Sequence, residues 1–272
     1  MKDSKTTSPT FEIAQELSKN YNTIESKYIL TKNLQKYFNQ NDLEKYKDFG
    51  IKEIYNKILL QYYPNETSIK SQFINKILIN GKNHVTIFEL PILKSRADLC
   101  KINGKSIAYE IKTDLDNFNR LEKQLNDYFQ IFDEVFVICS TKKVKEISNL
   151  IPEKTGIFSY RITKNKKYIF KKEKDSQENL NLNKKAQLNV LSNKELSNLI
   201  QFSNNKSRED IINEICYSKS NEEINKFFKK SLKIKYSKNW DFIKKNKEKI
   251  LDIDYQWFFK NQIDPSIIYQ FE

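Results

Sequence analysis

The stretch SRADLCKINGKSIAYEIKTD, residues 95–114, decides how the rest of the chain is interpreted. Two runs of alternating apolar and polar residues flank an Asn-Gly pair, which is the pattern of a β-hairpin. The hairpin also carries Asp98, Glu110 and Lys112 at strand positions where valine and threonine are usual. The question is why two neighbouring strands accept two acids and a lysine close together.

The length of the turn decides which of these side chains meet. Side chains alternate across a strand, so Glu110 and Lys112 share one face of the sheet. A two-residue turn would place Asp98 on the opposite face, whereas a three-residue turn with Gly104 in the left-handed conformation shifts the pairing by one residue. We therefore predict an odd-length turn or a bulge that brings Asp98 to the face of Glu110 and Lys112. The core-facing set is then Ala97, Leu99, Ile107, Tyr109 and Ile111.

Two carboxylates that converge repel each other unless a shared proton or a bound cation neutralises them. Hard divalent ions such as Mg²⁺ bind one or two carboxylates together with waters and phosphate oxygens. A lysine beside them can hold an attacking water and offset charge on a phosphate. The pattern therefore indicates metal-dependent phosphate chemistry. A simpler arrangement stays open, in which Asp98 and Lys112 form a cross-strand ion pair and Glu110 faces solvent.

Further motifs surround the hairpin in a fixed order. They are RAD (96–98), NG (103–104), YEIKTD (109–114), RLEKQLNDY (120–128), FDEVFVI (132–138) and IPEKTGI (151–157). In this order and spacing the chain resembles the PD-(D/E)XK phosphodiesterase superfamily, and within it small bacterial members. The resemblance covers residues 64–162 and is strongest over 95–138, with Ala97 where the motif usually begins with proline.

The resemblance implies both a fold and the centre of a site. The fold would be α/β, a restriction-endonuclease-like core with a mixed central sheet flanked by helices and with helical N- and C-terminal regions. Asp98 and Glu110 would bind Mg²⁺ or Mn²⁺, and the carbonyl of Ile111 would be a further ligand. Lys112 would be the catalytic lysine, and Gln124 would belong to the Q-x-x-x-Y pair that borders the site.

The resemblance also implies a periphery that contacts nucleic acid. Tyr128, the second member of that pair, would lie near the DNA backbone, and a buried aromatic is the alternative. Arg96 and Arg120 could bind phosphates, or could pair with the neighbouring Asp114 and Asp116.

Many members of the superfamily carry one more acid at the site, and two residues compete for that place. Glu66 lies near the start of the predicted helix that precedes the first strand, and Glu89 ends the strand-like run VTIFEL. The sequence leaves the choice between them open.

The spacing of apolar residues divides the chain into three regions. An N-terminal helical region is predicted at 1–63, the nuclease-like core at 64–173, and a helical C-terminal region at 174–272 that could bind nucleic acid or a partner. An Asn-rich stretch at 175–189 reads as a linker. Outside the hairpin, strands are predicted at 85–90, 133–140, 156–162 and 167–173, and helices at 66–80, 115–131, 142–151, 194–202, 208–216, 222–234 and 239–251.

Composition narrows the classes of function. The net charge of +13 over 272 residues favours polyanionic partners. The single histidine, His84, disfavours histidine triads and two-histidine metal sites. Three dispersed cysteines and the lack of a signal-like or membrane-spanning run predict a reducing cytoplasm and no membrane partner.

Together these features predict a Mg²⁺- or Mn²⁺-dependent nuclease that acts on DNA, with RNA as the second choice of substrate. Bacterial defence or a mobile element is the expected setting. The alternative is a nucleic-acid-binding protein or partner-dependent subunit that has the same fold and does not cleave. A homodimer or a complex with a partner protein is compatible with either function.

Overall fold

The computed structural model describes residues 8–200 and 206–269, which form two compact units. One, called here the helical unit, takes its described residues from Met1–Ile79, Ile162–Ile169 and Asp241–Glu272. The other, the sheet unit, takes them from Asn80–Arg161 and Phe170–Trp240. These units are defined by packing, whereas the three predicted regions 1–63, 64–173 and 174–272 were defined by composition and resemblance, and their roles stay predictions.

The elements are numbered along the chain. The helices are α1 (Phe11–Lys19), α2 (Lys27–Gln35), α3 (Gln40–Glu44), α4 (Ile51–Tyr62), α5 (Glu66–Phe73), α6 (Leu121–Phe129), α7 (Val144–Ser148), α8 (Lys184–Val190), α9 (Asn193–Leu196), α10 (Arg208–Ser218), α11 (Asn221–Asn246), α12 (Tyr255–Asn261) and α13 (Pro265–Tyr269). A π-helical turn, Ile74–Leu78, continues α5, and 3₁₀ turns lie at Thr141–Lys143 and Asp252–Asp254. The strands are β1 (Val85–Ile92), β2 (Ser95–Asn103), β3 (Lys105–Lys112), β4 (Glu134–Ser140), β5 (Gly156–Ile162) and β6 (Tyr168–Lys174).

The helical unit has a core in which the apolar stripes of α1, α2 and α4 meet. Its buried residues are Ile13, Ala14, Leu17, Leu30, Leu34, Phe38, Ile51, Ile54, Tyr55, Ile58 and Leu59. Helix starts in this unit are set by side chains: Thr10, Ser26 and Asn65 each accept a hydrogen bond from a backbone amide of the first turn. Within the predicted helical region 1–63, α3 ends at Glu44 and α4 begins only after Gly50.

The sheet unit contains a mixed sheet in the order β1-β2-β3-β4-β5-β6. Strands β1, β2 and β3 pair antiparallel, and β3, β4 and β5 pair parallel. Strand β4 is buried along nearly its whole length, as its continuous apolar run predicts. The prediction of an α/β fold with a mixed sheet flanked by helices is confirmed.

The turn between β2 and β3 has the predicted odd length. Ile102 pairs with Ser106 and Asn103 with Lys105, so the turn centres on Gly104, whose φ is +70°. Only this left-handed conformation, which glycine adopts without steric cost, closes the hairpin in that register. On the predicted core side Ala97, Leu99, Tyr109 and Ile111 are buried and Ile107 is half-buried, and the opposite face with Asp98 and Glu110 is buried as well.

The bounds of three predicted helices, at 115–131, 222–234 and 239–251, are wrong. Helix α6 begins at Leu121 rather than near 115, because the carboxylate of Asp116 accepts from the amide of Thr113 and the Thr113 hydroxyl accepts from the amide of Leu115. Such side-chain hydrogen bonds compete with helix formation. The helices predicted at 222–234 and 239–251 form one helix, α11, of 26 residues.

The Asn-rich stretch 175–189 is not a loose linker. The amide of Asn179 donates to the carbonyl of Phe129, and the amide of Gln187 donates to the carbonyl of Ile131 at 2.9 Å. Its second half forms α8. The predicted helix at 194–202 is short, ending at Leu196, and residues 201 and 202 lie outside the described part of the chain.

Within residues 8–200 and 206–269, no helix has both the length and the apolar character needed to cross a bilayer.

Candidate functional site

Three acids from three neighbouring strands form one row in the sheet unit. Glu89 of β1 lies opposite Asp98 of β2, because the flanking pairs are Phe88 with Leu99 and Leu90 with Ala97. Continuing the β2–β3 register by one step beyond Leu99 and Tyr109 places Asp98 opposite Glu110. Directly opposed residues share a face of the sheet. This set, Glu89, Asp98 and Glu110, is called the acidic row.

The acidic row is withdrawn from water. Asp98 and Glu110 are buried, with Glu110 only 2% exposed, and the Glu89 side chain is 8% exposed. One carboxylate oxygen of Glu89 lies within 4.8 Å of one of Asp98. Burial raises the pKa of the neighbouring Cys100 thiol well above its usual range, and the charges of Asp98, Glu89 and Glu110 raise it further. The row is therefore a concentration of negative charge in a place of low dielectric constant.

Asp98 is fixed by the end of the β2–β3 ladder. The backbone pairing of the two strands stops at Leu99 and Tyr109, and beyond it an oxygen of Asp98 accepts from the backbone amide of Ile111 at 2.7 Å. The Asp98 carboxylate thus accepts a hydrogen bond from a backbone amide that lies beyond the paired part of the two strands. The resemblance implies Ile111 as a metal ligand through its carbonyl, and this stays a prediction; the contact with Asp98 is made by its amide.

Glu110 is held from both sides. One oxygen accepts from the ammonium of Lys112 at 2.8 Å, and the other from the hydroxyl of Tyr128 at 2.6 Å. The simpler arrangement in which Glu110 faces solvent is therefore wrong, because its side chain is enclosed by these contacts.

Tyr128 acts inside the protein rather than on a bound strand. Its side chain has no solvent exposure, and its hydroxyl lies 2.7 Å from the carbonyl oxygen of Arg96 as well as beside Glu110. Burial raises the pKa of this hydroxyl, and the Glu110 carboxylate raises it further, so the phenol stays protonated. The predicted contact of Tyr128 with the DNA backbone is corrected to positioning of Glu110, since α6 turns this residue into the core.

Gln124, which the resemblance places at the border of the site, contacts Lys112. The Lys112 ammonium donates to Glu110 and also to the side-chain oxygen of Gln124 at 3.0 Å. The Lys112 side chain is 13% exposed, so the ammonium is held by two acceptors at the rim of the buried row. A lysine fixed in this way is a directed cation rather than a freely moving surface charge.

Glu89 has an unusual backbone. Its φ is +54°, in the left-handed region that a residue with a Cβ seldom occupies, and its carboxylate forms an ion pair with the Nε of Arg96 at 2.6 Å. Such a conformation costs about 1 kcal/mol or more, and it is frequent at functional sites. The Arg96 side chain is 67% exposed, so its pairing with Glu89 leaves it accessible to a ligand.

Glu66, the other predicted acid, belongs to the helical unit. It lies in the first turn of α5, where its carboxylate forms an ion pair with Lys70 at 2.8 Å. The Lys70 side chain is buried, and it also donates to Gln256 of α12.

Arg120 immediately precedes α6 and is exposed. The two aspartates with which it could pair are occupied otherwise, because Asp114 accepts from the hydroxyl of Ser140 and Asp116 from the amide of Thr113. Among the described residues no carboxylate lies within ion-pair distance of Arg120. At helical spacing Asn117, Arg120, Gln124 and Tyr128 would share one face, but Asn117 and Arg120 lie before α6 begins at Leu121.

Comparisons with known proteins place the chain in a phage family. A family model described as Bacteriophage P4 protein cII matches residues 61–256. The protein cII of Enterobacteria phage P4 is 32% identical over 146 residues, which is 52% of this chain and 54% of that protein. The chain therefore spans about half the length of this curated relative, whose name states no activity.

One solved structure, the SPO1766 protein of unknown function from Silicibacter pomeroyi, matches 35% of this chain and 61% of its own. The identity is 17% and the TM-score 0.28, which is too low to support an argument about the fold.

Proposed function

The chain belongs to the bacteriophage P4 protein cII family, and we propose that it is a metal-dependent nuclease of the PD-(D/E)XK type that hydrolyses DNA phosphodiester bonds. The observation that carries this proposal is the acidic row, with Lys112 held at its rim by Glu110 and Gln124. Support also comes from the order of elements, since α5, β1, β2, β3, α6 and β4 follow one another as the resemblance to a restriction-endonuclease-like core implies.

The residues of the row fit a divalent ion. Their donors are all oxygens, which Mg²⁺ and Mn²⁺ prefer over nitrogen and sulfur. Asp98 and Glu89 have oxygens close enough to share an ion, and Glu110 is the next acid along the row. Three buried carboxylates next to each other need a cation or a proton to lower their mutual repulsion. An ion bound there would lower the pKa of a coordinated water and polarise a phosphoryl oxygen.

The protein's own groups have separate tasks in this proposal. Lys112 donates a hydrogen bond to the attacking water and offsets charge on the pentacovalent phosphorus. Gln124 holds the ammonium in place through its side-chain oxygen, and Tyr128 holds the Glu110 carboxylate. Arg120, exposed and without an ion-pair partner in the described chain, is placed to bind a neighbouring phosphate.

The proposed substrate and biological setting rest on the net charge of the chain, on the resemblance to the superfamily and on the phage relative. A net charge of +13 strengthens binding to any polyanion, and DNA is preferred over RNA on the resemblance to the superfamily. The relative is a phage protein, which supports the mobile-element setting in a bacterial cytoplasm over a defence role. A homodimer or a partner protein is compatible with this function.

The test is cleavage of linear, circular and single-stranded DNA by the purified protein with Mg²⁺ or Mn²⁺. Lys112→Ala should abolish cleavage, and Lys123→Ala, which removes an exposed lysine of the same α6, should not. Binding of DNA without cleavage by all three proteins would replace the nuclease by the non-cleaving alternative. Absence of both binding and cleavage would reject nucleic acid as the substrate class.

A further inference from the structure

A recess of about 550 Å³ opens beside Lys112 in the sheet unit. Its walls are formed by two cations, one acid and four uncharged residues: Lys112, Arg120, Asp116, Leu115, Asn117, Asn119 and Gln124. The carboxylate of Asp116 accepts from the amide of Thr113, so the two cations exceed the acid by one charge. The volume falls within the range of about 300 to 1,000 Å³ that is typical of small-molecule sites. The ammonium of Lys112, which is proposed to act in hydrolysis, lines one side of the recess. A group bound in the recess would therefore lie next to the reacting phosphate.

The shape of the recess is set before any ligand binds. Its outer wall is the loop between β3 and α6. In this loop the amide of Thr113 donates to the carboxylate of Asp116 at 2.7 Å, and the amide of Leu115 donates to the hydroxyl of Thr113 at 3.1 Å. On the other side of the loop the ammonium of Lys143 lies 5.4 Å from the ring of Phe118. A preformed wall lowers the entropy that binding would otherwise cost.

The chemistry of the walls matches a nucleotide better than an anion alone. Lys112 and Arg120 supply two cations for a phosphate. Asn117 and Asn119 offer amides, which donate to and accept from the edges of bases, and Leu115 is half-exposed as an apolar surface for a base or sugar. In the described part of the chain, the side chains of Asn119 and Arg120 have no hydrogen-bond or ion-pair partner.

We propose that this recess binds one unpaired nucleotide of the substrate strand, with its phosphate at Lys112 and Arg120 and its base at Leu115, Asn117 and Asn119. The choice of substrate class rests on the proposed nuclease function. Because the base enters the recess only when it leaves the stack, the protein should act on single-stranded DNA or strand ends in preference to the interior of a duplex.

Binding can be measured without cleavage. The full chain is titrated by calorimetry with deoxynucleoside 5′-monophosphates and with inorganic phosphate, at low salt and without divalent metal. The nucleotides should bind at least about tenfold more tightly than phosphate, and Asn119→Ala and Arg120→Ala should each weaken nucleotide binding by about tenfold. Exposed residues elsewhere in the sheet unit serve as matched controls, so Asn198→Ala and Arg161→Ala should bind as the parent does.

The outcomes separate this inference from the proposed function. Three results would overturn nucleotide binding in the recess, even if the protein cleaves DNA. They are equal affinity for nucleotide and phosphate, equal affinity of the recess variants and the control variants for nucleotide, and no binding of nucleotide at all. Nucleotide binding that the recess variants lose would sustain it even if no cleavage is found. Cleavage of an internal duplex site as fast as of a single strand would also contradict it.

Discussion

One buried acid, Asp133, and the acidic row lie at opposite ends of β3, and they differ in the partners that surround them. At the turn end, Asp133 accepts from the amide and hydroxyl of Ser106, from Asn225 at 2.8 Å and from the ammonium of Lys229 at 3.2 Å. At the other end lies the acidic row, where three carboxylates share the cations of Lys112 and Arg96.

This comparison shows which buried acids stabilise the fold and which do not. Asp133 accepts hydrogen bonds from four donors, one of which is the positively charged ammonium of Lys229. It therefore connects α11 to the hairpin, and its negative charge is compensated. The acidic row, if fully ionised, carries one negative charge more than its two cations supply. A buried acid that is crowded by other acids is destabilising for the fold, which is expected where selection acts on binding or catalysis instead.

The largest expected effect is loss of activity at the row. Asp98→Asn keeps the shape and the acceptor for the Ile111 amide but removes a charge needed for a metal. Cleavage should fall by about 10³-fold, as it does when a group that stabilises a transition state is removed, while the protein stays as stable as the parent or becomes more stable. Single-turnover cleavage and urea denaturation measure the two effects. Activity within tenfold of the parent would contradict the assignment of Asp98.

The opposite pattern is expected at the other end of β3. Asp133→Asn removes the counter-charge of Lys229, whose side chain is 21% exposed, and should lower the free energy of unfolding by about 2 kcal/mol. Activity of the molecules that remain folded should be unchanged at low temperature. If Asp133→Asn and Asp98→Asn had the same profile of stability and activity, the distinction between the two groups would be lost.

Glu89 should affect metal affinity more than chemistry. Glu89→Gln keeps the size of the side chain and removes one charge from the row, so the Mg²⁺ concentration for half-maximal cleavage should rise by about 10- to 100-fold. Cleavage at saturating Mg²⁺ should fall by a smaller factor. Unchanged Mg²⁺ dependence would exclude Glu89 from the site, and the same titration of Glu66→Gln tests the other predicted acid.

The smallest effect is expected at a buried acid of the helical unit, Asp254. Asp254 accepts from the hydroxyls of Thr23 at 2.7 Å and of Tyr21 and Tyr269, and burial raises the pKa of its carboxyl. Because the folded pKa is raised, the stabilisation is full below the ordinary aspartate pKa of about 3.9 and is lost as the pH rises through the raised value.

Asp254→Asn should therefore remove part of the decline in stability with rising pH. The change in the free energy of unfolding between acidic and neutral pH should differ from that of the parent by about 1 kcal/mol, measured by urea denaturation at each pH. An identical pH dependence in the two proteins would show that Asp254 does not ionise differently on folding.

Much of the site was predictable because its geometry is local. The alternation of side chains along a strand and the preference of Gly104 for a left-handed turn suffice to place Asp98, Glu110 and Lys112 on one face. The resemblance implied that Gln124 borders these residues, and in the structure its side-chain oxygen lies 3.0 Å from the Lys112 ammonium.

The remaining features depend on partners far along the chain. Helical spacing alone allows Tyr128 to face either the core or solvent, and only the packing of α6 against the sheet buries it beside Glu110. The polar stretch around Asn179 reads as a linker until the carbonyl of Phe129 is brought to it.

The sequence by itself thus determined the hairpin, its turn and the shared face of two acids and a lysine, because dihedral preferences and strand alternation act over a few residues. The tertiary structure decided that Glu89 joins the row. Its place depends on the register of β1 against β2 and on a left-handed backbone at φ +54°, neither of which a residue's near neighbours specify. Pairing between strands is selected by the packing of the whole sheet, so the third acid of the row appears only when the chain is folded.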